Sequence, residues 1–134
     1  MGDLLAERLK KRADFLRAQK GIRRRSAGLT LEICATPEPA AQDGHFRVGF
    51  TASRKVGDAV RRNRAKRRLR AAARAILPQQ AVACTDYVLI ARPDTLTRPY
   101  SDLLKDLAQT LAAAHLKLIA ADRGGVGESK NALG

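Results

Sequence analysis

The sequence predicts a single-domain α+β sandwich, a small central sheet packed against helices, and three observations lead there. Hydrophobic residues make up 45% of the 134 residues, with three Phe, two Tyr and no Trp, so a core can close but must be filled by Leu, Val, Ile and Ala. Alternating apolar residues up to residue 53 give way from residue 58 to apolar spacings of three and four, the change from strand to helix. The order is helix, strands, helix, strand, helix without an internal repeat, which suits helices laid on one sheet.

The first helix is expected over residues 4–19, where Leu5, Leu9, Ala13 and Leu16 form a stripe with Phe15 at its edge. Gly21 ends it. After the basic cluster Arg23, Arg24 and Arg25, residues 28–35 alternate as a short, half-buried strand with Leu29, Leu31 and Ile33 on one face. Two prolines mark 36–44 as a loop, and 45–53 put Phe46, Val48, Phe50 and Ala52 on a common face, suggesting an antiparallel meander. In 58–77, Ala65, Leu69, Ala72 and Ile76 recur at helical spacing behind an Asp58 N-cap, with Pro78 as the stop. The apolar run at 86–92 reads as a central strand buried on both faces. Pro93 and Pro99 bound a loop. Ser101 can cap a last helix carrying Leu104, Leu107, Leu111 and Leu118, with Asp102 and Asp106 favourable at its N-terminal end. Residues 1–120 are thus expected to form the domain and 121–134 a disordered tail.

The charge balance restricts the partner. Twenty-six Lys and Arg against thirteen Asp and Glu give a net charge of +13, which calls for a polyanion. Arg outnumbers Lys more than two to one, and a guanidinium grips phosphate bidentately and stacks on bases, favouring nucleic acid over a membrane surface. No apolar run approaches the roughly 18 residues of a spanning helix, and the start has no signal-peptide pattern, so a cytoplasmic protein is expected. Cys34 and Cys84 stand alone, as reduced thiols in strands rather than metal ligands or a disulfide.

The segment 54–74 holds ten basic residues and one acid, Asp58. On a helix, Asn63, Lys66, Arg67, Arg70 and Arg74 project opposite the Ala65, Leu69, Ala72 and Ile76 face. A merely solvated helix intersperses acids to relieve repulsion between pairs such as Lys66 and Arg70, so an anionic partner is the stronger reading. The basic residues between Arg8 and Arg25 offer a second contact surface. Enzymatic constellations are weak: neither His45 nor His115 has a nucleophile or carboxylate at a telling spacing, and Gly124, Gly125 and Gly127 make no phosphate loop. Asp102 and Asp106 are explained by helix-end electrostatics without a metal. A duplex-DNA reader needs one groove-facing edge, whereas Arg61, Arg62, Arg64 and Arg68 surround the helix, so DNA is not expected. A membrane-surface helix would need bulkier anchors than Ala.

The segment Arg62-Asn-Arg-Ala-Lys-Arg-Arg-Leu-Arg70 resembles the Arg-Asn-Arg-x-Lys-Arg-x-x-Arg signature of the protein subunit of bacterial ribonuclease P. RVGFTAS at 47–53, the following Arg54-Lys55-Val56-Gly57, Ala13-Asp14-Phe15 and DYVLIAR at 86–92 support the resemblance, which covers roughly residues 5–118. It implies the order α-β-β-β-α-β-α, with a left-handed crossover through the signature helix that departs from the usual hand. It also implies work beside a large catalytic RNA that removes the 5′ leader of precursor tRNA, with magnesium held mainly by that RNA activating water. Arg62, Asn63, Arg64, Lys66, Arg67 and Arg70 match the signature and would contact RNA, Arg54 and Lys55 match a basic pair beside it, and Arg74 extends the same face. Phe15 matches an aromatic position lining a leader cleft between the first helix and the sheet, and Phe50 is a second candidate there. Gln19 and Glu32 stand where aromatics are familiar in the family, so leader contacts are expected to be fewer or more polar. A basic RNA-binding module of the ribosomal or RNA-chaperone kind is the alternative, distinguished by whether the chain promotes cleavage with a catalytic RNA.

Overall fold

The computed structural model describes residues 4–127. Its elements are β1 (Leu5–Arg8), α1 (Arg12–Gln19), β2 (Ile22–Arg25), β3 (Leu29–Ala35), β4 (His45–Ala52), a single 3₁₀ turn (Arg54–Val56), α2 (Ala59–Gln80), β5 (Thr85–Ala91), α3 (Pro93–Thr97) and α4 (Tyr100–Gly127). The expected α-β-β-β-α-β-α order is present from α1 onward, with β1 added before it and α3 inserted before the last helix.

One mixed sheet runs in the order β1-β4-β5-β3-β2. The apolar run of β5 places it at the centre, antiparallel to β3 from Leu29↔Ala91 to Ala35↔Thr85 and parallel to β4 from Arg47↔Asp86 to Ala52↔Ala91. A strand buried on both faces needs its backbone paired on both edges, so β5 lies between β3 and β4 and the expected meander does not form. The parallel pair β4 and β5 is joined through α2. On one face, Leu29, Leu31 and Ile33 of β3, Tyr87, Leu89 and Ala91 of β5 and Phe46 of β4 pack with Ala65, Leu69 and Leu77 of α2 and Leu103, Leu107 and Leu111 of α4. Among the described residues the other face carries only α1, over a smaller cluster of Leu9, Ala18 and Val88 with Phe15, Cys34 and Ile90. That leaves much of this second face open.

Several expectations are corrected. The first helix is confined to Arg12–Gln19, because residues 5–8 add to the sheet in parallel with β4, held by bonds such as Leu5 N–H to Gly44 O at 2.8 Å and Leu9 N–H to Val48 O at 2.9 Å. Leu5, Ala13 and Leu16 are exposed, and the buried face of α1 is instead Asp14 and Ala18. The arginine cluster is itself a strand, β2, antiparallel to β3. Gly21 starts it: a Cβ there would lie 2.1 Å from the Ile33 carbonyl oxygen, so only glycine fits against β3. β3 is buried along both faces, not half-buried.

Pro78 sits inside the last turn of α2 without ending it, since a proline there forfeits one helical bond and Ala81 N–H still reaches Leu77 O at 2.7 Å. The span between Pro93 and Pro99 contains α3, which Pro93 opens and the buried Thr95 secures by donating to Gly28 O and accepting from Arg92 N. α4 begins at Tyr100, so Ser101 is already helical. Its stripe is Leu103, Leu107, Leu111 and Ala114, with Leu104 and Leu118 at the margins. Asp106 is bound by Arg98, at 3.0 Å through Oδ1, so a half-buried ion pair rather than the helix dipole explains it. Cys34 lies in β3, but Cys84 precedes β5 at a φ of 59°. α4 reaches Gly127, beyond the expected start of the tail at residue 121, and 128–134 lie outside the described residues.

Candidate nucleic-acid interface

The approach to α2 is built locally. Ser53 Oγ accepts from Lys55 N–H at 3.2 Å, closing the turn that presents Arg54 and Lys55 to solvent. Gly57 follows at a φ of 135°, where a side chain would be strained and a Cβ would meet Arg61 Cδ at 2.9 Å. Asp58 then caps the helix as expected, accepting from Arg61 N–H at 2.9 Å. Ala65, Leu69, Ala72, Ala73 and Leu77 are buried, with Ile76 at the margin. This turns Asn63, Arg64, Arg67 and Arg74 outward and leaves Arg62, Lys66 and Arg70 half-buried on the flanks.

Among the described residues no side chain of α2 forms an ion pair. Arg62 Nε and Arg70 Nε are buried without a hydrogen-bond acceptor. A donor left unmade inside a protein is costly. Arg62, Asn63 and Lys66 also line a polar depression of about 200 Å3 with Thr51 and Ala52 at the end of β4. Arg68 is different: it donates to the carbonyls of Thr95 at 2.5 Å and Arg98 at 2.7 Å, fastening α2 to α3.

A second concavity, about 400 Å3, lies between α1 and the open face of the sheet, lined by Phe15, Leu16 and Gln19 of α1 and by Glu32, Val88 and Ile90 among others. Phe15 serves both as packing and as lining, because its ring lies over Gly49, where a Cβ would be 2.6 Å from Phe15 Cζ. Glu32 is buried in the cleft and takes a bond from Arg23 at 3.0 Å; burial raises its carboxyl above the ordinary value, against the pull of the Arg23 charge. Beyond Ile90 the groove continues into a depression of about 320 Å3 bounded by Arg23, Arg25, Lys55 and Arg92. Phe50 is among the residues of the cleft, yet the pleat turns its ring to the opposite face, where Arg70 lies 5.8 Å from the ring centroid. Helical and strand periodicity do not single out Arg23, Arg25 and Arg92; the alternation of Arg23 and Arg25 about Arg24 is the signal that β2 turns two of them into the groove.

One guanidinium ties α1 to the sheet. Arg47 bonds Asp86 through Nε at 2.7 Å and Nη2 at 2.6 Å, and Nη2 also reaches Asp14 of α1 at 3.2 Å. Thr36 donates to Asp86 at 2.7 Å and Arg17 to Asp14 at 2.8 Å. Burial alone would raise the Asp14 carboxyl, but the Arg17 hydrogen bond and the Arg47 charge outweigh it and hold it below the usual range. His45 Nδ1 lies 2.8 Å from Glu7, and His115 Nε2 meets the Tyr87 hydroxyl at 2.7 Å, with burial holding the imidazole below its ordinary pKa. Burial pushes the Cys34 thiol up to about 11. Among the described residues no three His, Cys, Asp or Glu side chains gather as metal ligands, and no helix is long and apolar enough to cross a membrane.

Comparison with known proteins agrees with this fold. Residues 5–115 match the family model described as Ribonuclease P. The ribonuclease P protein component of Ruegeria pomeroyi is 51% identical over 108 residues, covering 80% of this chain and 85% of that protein. Its counterpart from Caulobacter vibrioides is 44% identical over 128 residues, 96% of this chain and 82% of that one. The solved RNase P protein of Staphylococcus aureus superposes with a TM-score of 0.64 at 29% identity, covering 80% of this chain and 94% of its own. The Thermotoga maritima protein, at 24% identity and a TM-score of 0.63 over 78% of this chain and 94% of its own, shares the fold.

Proposed function

This chain belongs to the ribonuclease P protein family, and from that premise we propose how its surfaces serve a ribonucleoprotein that trims the 5′ end of precursor tRNA. The observation that carries the reading is the outer face of α2: Arg62, Arg64, Lys66, Arg67, Arg70 and Arg74 with no acid paired to any of them among the described residues. At a rise of about 1.5 Å per residue, the run from Arg62 to Arg74 extends roughly 18 Å, enough to follow several backbone phosphates of the catalytic RNA. Arg54 and Lys55 extend this surface around the helix start.

The groove under α1 takes the single-stranded leader. Its rim is basic through Lys10, Arg12, Arg23 and Arg25, while its floor holds Phe15, Val88 and the Glu32 carboxylate. Phosphates are drawn to the rim and repelled by the floor, so bases turn inward. The Phe50 ring belongs to the α2 side and is assigned no part in the cleft.

The chemistry falls to the RNA. The carboxylates best placed by burial, Asp14, Asp86 and Asp106, are engaged by Arg47 and Arg98, and His115 by Tyr87. Magnesium, held mainly by RNA, supplies the activated water when bound. The protein's residues bind and orient the two RNAs in the cytoplasm, through one domain. The test mixes the chain with a ribonuclease P RNA and 5′-labelled precursor tRNA. Cleavage at magnesium too low for the RNA alone supports the reading; RNA binding without stimulated cleavage favours a plain RNA-binding module instead.

A further inference from the structure

A pocket at the seam of β1 and α2 points beyond phosphate binding. It encloses about 180 Å3 over a floor of Phe46, Val48, Phe50 and Leu77, with Arg8, Arg70 and Arg74 at its mouth and no acid in its lining. Strand β1 creates it. The parallel register sets Ala6 beside Phe46 and Arg8 beside Val48, so both fall on the α2 side of the sheet, and the small Ala6 side chain leaves the space open.

Three features define what fits. Drug-sized ligands occupy pockets of roughly 300–1,000 Å3, so this one suits a single planar ring system. The floor is apolar and aromatic, and the Arg70 guanidinium already lies 5.8 Å from the Phe50 centroid. Arg8, Arg70 and Arg74 at the mouth supply cationic donors with no acid beside them. A group with apolar faces, acceptors at its edge and an attached anion meets all three, which is the chemistry of a nucleotide. We propose that the pocket receives one unpaired nucleotide of the RNA partner, its base on the apolar floor beside Arg70 and its phosphate between Arg8 and Arg74. The proposal rests on the RNA-binding reading of α2 and adds to it a base-sized receptor that phosphate tracking alone does not require.

The test fills the pocket without changing charge. Ala6 is exposed on an edge strand, so Ala6→Phe occupies the space while every guanidinium is retained. The holoenzyme should assemble about tenfold more weakly, the scale of one base–aromatic stack, with its salt dependence unchanged because every phosphate-binding group is kept. In the free protein, which has no Trp, Phe50→Trp supplies one indole in the pocket. Adenosine monophosphate should quench it, inorganic phosphate should not, and adding Ala6→Phe should abolish the quenching. If Ala6→Phe assembles normally while Arg67→Ala is weakened, the pocket proposal is overturned and the basic-face reading stands; if neither variant is weakened, both fall. Should Ala6→Phe alter the circular dichroism or melting, the quenching arm decides alone: a response to adenosine monophosphate supports the pocket, and none overturns it.

Discussion

Replacing Arg47 with Ala should be among the most damaging single changes in this domain. The side chain forms a bidentate pair with Asp86, which is fully buried, and reaches Asp14, which is nearly so. Its removal leaves the Asp86 carboxylate in the interior with Thr36 as its one remaining side-chain donor among the described residues. Breaking a buried pair by deleting one partner costs about 3–5 kcal/mol. For a domain of this size that corresponds to a fall in Tm on the order of 10–25 °C. Asp14→Asn keeps an acceptor for Arg17 and Arg47 and should cost less, about 1–2 kcal/mol at neutral pH. The Asp14 penalty carries a pH signature. Its folded pKa is depressed below 3.8, so the stability it contributes is present above that value and is lost as pH falls through the folded value; the gap between wild type and Asp14→Asn should close in the same window. Urea unfolding followed by circular dichroism, repeated across pH, measures both. An Arg47→Ala variant within about 1 kcal/mol of wild type would refute the claim that this guanidinium secures α1 to the sheet.

Three further outcomes follow from individual side chains. Glu32→Gln should be neutral or stabilising at pH 7, because burial raises the Glu32 carboxyl and its charged form is disfavoured; any advantage of the variant should shrink as pH falls through the raised value, measured by the same unfolding curves. His115→Ala should leave the chemical step of the holoenzyme within a few fold of wild type in single-turnover cleavage, since the imidazole is bound to Tyr87, and a hundredfold loss with folding intact would contradict it. Leu69→Ala should lower unfolding free energy by about 2–5 kcal/mol while leaving the salt dependence of RNA binding unchanged, because Leu69 is wholly buried on the face of α2 opposite the arginines.

The elements legible in the sequence are those whose burial is decided by local pattern. The α2 stripe of Ala65, Leu69 and Ala72, the Asp58 cap and the apolar run of β5 each carry their own signal. Local pattern misleads where distant residues decide. Leu5 and Leu9 have helical spacing, yet pairing with β4 makes 5–8 a strand, and Asp14 turns inward on α1 because Arg47 waits for it across the sheet. β2 is hidden by three arginines, since an edge strand with only Ile22 to pack gives little hydrophobic pattern. Phe50 alternates with Phe46 as expected, but which face of β4 meets α1 depends on the sheet order. The basic face of α2 is legible as a helix of unopposed charge. The pocket beside Arg70 is not, because it exists only once β1 lies beside β4.

The most direct test of the central claim, that the outer face of α2 is the RNA interface, is the salt dependence of holoenzyme assembly for Arg64→Ala with Arg67→Ala. Both side chains are exposed and Ala is a good helix former, so the circular dichroism should be unchanged. Log affinity should fall linearly with log salt, with a slope shallower than wild type by roughly 0.7–0.9 for each phosphate that no longer has an arginine partner. Affinity should drop by about 1–3 kcal/mol for each such phosphate. Wild-type affinity and slope in the double variant would mean that the face is only solvated, contradicting the account.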